Sequence, residues 1–64
     1  MSDREYIEKN VILKKDFMER WAASFTCADG YHYSWADASI TYRNRRDLVN
    51  RLVDLVLAGG HPVQ

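Results

Sequence analysis

Cys27, Asp29, His32 and His61 are the residues of this 64-residue chain whose types could support thiol or metal chemistry. A structural zinc site closes four Cys and His ligands at characteristic spacings, and one Cys with two His falls short of that set. A thiol nucleophile needs a base and a group that orients the base, and no local pattern around Cys27 supplies both. Cys27 therefore reads as a small apolar residue at the end of an element. His32 alternates with its aromatic neighbours and is expected to point to solvent, and His61 falls in a mobile tail. Asp47 and Asp54 flank Arg51 at i−4 and i+3, which is the spacing of an exposed ion-pair ladder on a helix rather than of an acid–base pair. No catalytic residue, cofactor site or metal ligand follows from these residues, and a non-enzymatic function is expected.

Recognition chemistry has more support. The stretch "RNRRDLVNR" over 43–51 holds Arg43, Arg45, Arg46 and Arg51 against Asp47 alone. Grouped arginines suit bidentate contacts to phosphate or to acidic side chains. Just before them, "GYHYSWADASITYR" brings Tyr31, Tyr33, Trp35 and Tyr42 close together in sequence. Tyr, Trp and Arg are the types enriched where binding energy concentrates. The expected binding surface is therefore Tyr31, Tyr33, Trp35, Tyr42, Arg43, Arg45 and Arg46, with Trp35 and Tyr33 as apolar anchors and the arginines setting orientation. Nine Lys and Arg balance nine Asp and Glu, which weighs against a protein devoted to phosphate-backbone binding.

The elements that must position these residues follow from periodicity. Ser2 with Glu5 forms a capping box. Ile7, Val11, Met18, Trp21, Ala22 and Phe25 then recur at helical spacing, with Tyr6, Leu13 and Phe17 alongside, and this predicts a helix over about 4–26, broken near 14–16. Lys14 interrupts the stripe, and the run "NVIL" fits a strand as well, so 10–14 is helix or strand. "YHYSW" and "SITYR" alternate, with "ADA" as a turn, and predict an antiparallel hairpin over about 31–43. Asp29-Gly30 is either a helix stop or a further hairpin turn. Asn44 as N-cap and Gly59-Gly60 as the stop bound an amphipathic helix over about 45–58. The expected fold is α+β in one domain over 1–64, with 59–64 a flexible tail; an all-α helical hairpin is the alternative.

That order of elements is similar to the small phage head–tail joining proteins of the W type, in which a compact hairpin joins two helices. The similarity lies in element order alone and brings no motif, so it assigns no residue a role. One cysteine, a charged "SDREYIEKN" near the start and the short run "LVDLVLAGG", interrupted by Asp54, fit a cytoplasmic domain with no membrane partner. The expected function is a small accessory protein, of the inhibitor or modulator kind found in phages and mobile elements, that docks to a host protein. A nucleic-acid-binding module using the Arg43–Arg51 cluster and a virion connector are the alternatives. The wide apolar arc of the C-terminal helix also admits a homo-oligomer through that helix.

Overall fold

The computed structural model describes residues 2–37, 40 and 42–64, and it is an α+β fold. Helix α1 spans Asp3–Asn10, strands β1 (Ile12–Lys15), β2 (Trp21–Thr26) and β3 (His32–Asp37) follow, and a 3-10 turn (Tyr42–Asn44) leads into helix α2 (Arg45–Gly59). The strands form one antiparallel sheet in the order β1-β2-β3. The all-α alternative is not what the chain adopts.

The serine half of the capping box forms at the start of α1: the Ser2 hydroxyl accepts the Glu5 N–H at 3.2 Å and donates to the Glu5 carboxylate at 3.3 Å. The long helix expected over 4–26 ends at Asn10, because Val11 is already extended. The helical stripe was ambiguous for a geometric reason. Residues four apart share a face in a strand as well as in a helix, so Trp21 and Phe25 satisfy both periods. The residues between them discriminate. Ala23 is buried and Ala22 is not, which only period two explains. The same alternation turns Lys14 outward between Leu13 and Lys15.

Two tight turns make the sheet. Between β1 and β2, the Asp16 carboxylate accepts the N–H groups of Met18 (2.9 Å) and Arg20 (3.0 Å), and Glu19 takes a left-handed conformation at φ 62°. Between β2 and β3, the Gly30 N–H reaches the Cys27 carbonyl at 2.9 Å with Gly30 at φ 89°. Asp29-Gly30 is thus a hairpin turn. The strand it introduces pairs backward with β2 rather than forward with "SITYR". Of the expected second hairpin strand, Ile40 is in no strand and Tyr42 and Arg43 lie in the 3-10 turn, while Ser39 and Thr41, with Ala38 of the expected turn, lie outside the described residues.

Helix α2 packs across β2 and β3, and α1 packs on α2. Ile7, Ala23, Phe25, Leu48, Leu52, Val53 and Val56 form the buried centre. Asn44 precedes α2 without a side-chain capping bond, and Gly60, at φ 78°, closes it one residue past Gly59. The segment expected as a flexible tail docks back on the domain. The Ala28 N–H donates to the Pro62 carbonyl at 2.9 Å, and Val63 is buried in the core.

Candidate functional site

The register settles which sheet face the helices cover. Phe25 stands opposite Tyr33 and Ala23 opposite Trp35, so Tyr33 and Trp35 share the face of the two buried β2 residues. The aromatic face therefore lies under α2. Tyr33 is half-buried beside the core, whereas Trp35 keeps 39% of its surface and Tyr31 keeps 49%. Tyr33 also runs close beneath α2, where a Cβ on Gly59 would overlap its phenol oxygen.

Of the seven residues expected to form one surface, Tyr31 and Tyr33 lie at one end of α2 and Arg43, Arg45 and Arg46 at the other, with Trp35 between them on β3. Tyr31 and Tyr33 approach each other at 4.8 Å between ring centroids beside the β2–β3 turn. His61 stacks on Tyr31 at 4.0 Å, and its Nδ1 lies 2.8 Å from the Asp29 carboxylate. That contact, with the Tyr31 N–H donated to the same carboxyl group, holds Asp29 below the usual carboxylate range. Burial, then the nearby Asp29 charge, pushes the Cys27 thiol up, away from the thiolate a nucleophile needs. The cluster fastens the C-terminal segment to the sheet. Among the described residues, no three His, Cys, Asp or Glu side chains gather as a metal site.

Arg43, Arg45 and Arg46 sit at the opposite end of α2, about 20 Å from Gly59 at 1.5 Å per residue. Arg43 and Arg46 are exposed; Arg45 and Arg46 line a groove with Glu8, Leu13, Val49 and Asn50. Tyr42 opens the 3-10 turn, and its side chain lies outside the description. Tyr31 and Tyr33 therefore do not share a surface with these arginines. The expected ladder about Arg51 also differs, since the Asp54 carboxylate meets Arg4 at 3.5 Å.

Phe17 and Met18, expected in an apolar helical stripe, are instead the tip of the β1–β2 turn, 94% and 58% exposed. The tip is held firmly. Besides the two N–H groups on Asp16, the Asp16 N–H reaches the Arg20 carbonyl at 2.9 Å and the Arg20 guanidinium grips the Asp16 carboxylate at 2.9–3.0 Å. The Arg20 N–H, then the guanidinium, holds the Asp16 carboxyl below its ordinary range. An Asp four residues before an Arg around two apolar residues was the available signal. It suits a helix start equally well, so the pattern alone did not select the turn.

Trp21, next to the tip, pairs with Asp37, and Asp37 shares a cleft with Asn44, Asp47 and Arg51 at the start of α2. The Phe17–Met18 tip and the Arg43–Arg46 group are therefore at the same end of the sheet. Among the described residues, no helix is long and apolar enough to cross a membrane. Comparison with family models, with curated proteins and with solved structures returns no match for this chain.

Proposed function

We propose that this chain is a non-enzymatic docking module that anchors on another protein through Phe17 and Met18, with Arg43, Arg45 and Arg46 orienting the contact from the same end. The observation that carries this is Phe17, 94% exposed on a turn fixed by its own hydrogen bonds. A ring left in water contributes nothing to folding, since apolar surface stabilises only when it is removed from water. Its presentation on a preformed turn lowers the ordering cost of binding. The fitting partner offers an apolar pocket for one phenyl ring and a thioether, with acidic groups towards the arginines. Balanced total charge favours a protein over a nucleic-acid backbone.

The test compares partner capture by wild type and variants, each first checked for folding by circular dichroism. Phe17→Asp should weaken capture by about 30-fold or more, as for a central anchor. Arg45→Glu with Arg46→Glu should weaken it less, and Tyr31→Ala, at the far end, should leave it unchanged. Capture that survives Phe17→Asp overturns the proposal. Loss by Phe17→Asp of binding to lipid vesicles alone, with no protein captured, would assign the tip to a membrane surface and overturn it equally.

A further inference from the structure

We infer that β3 is a self-association edge: a second copy of this chain adds its own β3 antiparallel to the first, about a two-fold axis through Ser34. The two outer strands of the sheet are built differently. β1 carries Lys14 and Lys15, the charged residues that discourage pairing at an edge, and a second copy there would bring lysines together. β3, "HYSWAD", has no lysine, no proline and no bulge in its register with β2.

The hydrogen-bond phase fixes how a copy would pair. The Cys27 N–H donates to the Tyr31 carbonyl at 2.8 Å, so these opposed residues form a hydrogen-bonded pair. Alternation along the ladder then directs the backbone of Tyr33, Trp35 and Asp37 towards β2. The backbone groups of His32, Ser34 and Ala36 point away from the sheet. A second β3 that pairs through those outward residues, with its side chains kept on matching faces, opposes Ser34 to Ser34 and His32 to Ala36. In that register Tyr33 of one copy faces Trp35 of the other, twice, on the helix-covered side. No like charges oppose one another.

The layer above agrees. Tyr33 lies at Gly59 and Asp37 lies near the start of α2, so α2 runs antiparallel to β3 and Trp35 is level with Leu55. Trp35 and Leu55, at 39% and 37%, are half-exposed apolar residues on this side. Because α2 packs across β2 and β3, continuing the sheet at strand spacing brings the last turns of the two α2 helices, level with the axis at Ser34, to about 10 Å, an ordinary packing separation. The zero net charge of each copy sets no long-range repulsion against the pairing. This surface is separate from the Phe17 tip, so either can fail without the other.

The test uses sedimentation equilibrium up to about 1 mM, since an interface of this size binds weakly. Ser34 is exposed, and its outward backbone leaves the β2–β3 ladder intact when the side chain changes. Wild type should dimerise. Ser34→Lys alone and Ser34→Glu alone should each set like charges face to face and weaken dimerisation. An equimolar mixture of the two should associate about tenfold or more tightly than either alone. A wild type that stays monomeric throughout overturns the inference. So does a dimer indifferent to Ser34→Lys, or one lost in both variants and not restored on mixing.

Discussion

Replacing Gly59 by Ala tests the closest approach in the fold. In most helices that change stabilises, by up to about 1 kcal/mol, because Ala loses less backbone freedom on folding. Here the new methyl would overlap the Tyr33 hydroxyl and lie 2.7 Å from its Cζ and 3.3 Å from its Cε1. Ordinary contacts sit at about 3.3–4.0 Å, and the hydroxyl overlaps more deeply than the ring carbons, so the phenol end must withdraw by roughly 1.5 Å or more. It is not free to do so, with the rings of Tyr31 and His61 packed beside it at 4.8 Å and 5.9 Å between centroids. Overpacking of this kind costs about 1–3 kcal/mol, which exceeds the propensity gain. The expected net effect is a loss of about 1–2 kcal/mol, or a fall in Tm of roughly 5–15 °C for a domain this small. Urea and thermal unfolding of wild type, Gly59→Ala, Tyr33→Ala and the double variant complete a cycle. In the Tyr33→Ala background the clash is gone, and Gly59→Ala should stabilise by up to about 1 kcal/mol. Equal stabilisation by Gly59→Ala in both backgrounds would refute the proposed packing of Tyr33 under α2.

Two further outcomes follow from the turns. Asp16 and Asp29 both have folded pKa values below the ordinary carboxylate value, the first through the Arg20 N–H and the second through His61. Groups of that sign stabilise the fold above their unfolded pKa, and the contribution is lost as pH falls through the folded value. The urea midpoint should therefore hold between about pH 7 and pH 5 and decline below about pH 4, less steeply in Asp16→Asn; a wild-type midpoint unchanged at about pH 2 would contradict both contacts. Cys27, buried with a raised thiol pKa, should react with a disulfide reagent at pH 8 about 100-fold more slowly than the urea-unfolded chain. Equal rates would place the thiol at the surface.

Much of the fold was legible because it rests on local chemistry. Ser2 with Glu5 started α1, Gly59-Gly60 bounded α2, and Asp29-Gly30 offered a hairpin turn; each depends on residues within a few positions of one another. What failed was the middle, where Trp21 and Phe25 suit either period. The choice fell to Leu13 opposite Ala23 and Ala23 opposite Trp35, contacts that exist only once three strands assemble. The Asp29-Gly30 turn, which left two pairings open, was decided in the same way, because β3 found its partner in β2, behind it in sequence.

For the candidate site the division is sharper. Residue types alone marked the arginines and aromatics as binding chemistry, and composition alone left thiol and metal chemistry without a full set of groups. Only the tertiary structure decided which of them meet. It sent Tyr31 and Tyr33 to one end of α2 and the arginines to the other, and it moved Phe17 from an imagined core stripe to an exposed tip. Side-chain type is a property of each residue, whereas exposure is a property of what packs beside it. Asp16 and Arg20 close a turn around Phe17 rather than starting a helix, and the sheet they join leaves the ring with no neighbour among the described residues to cover it.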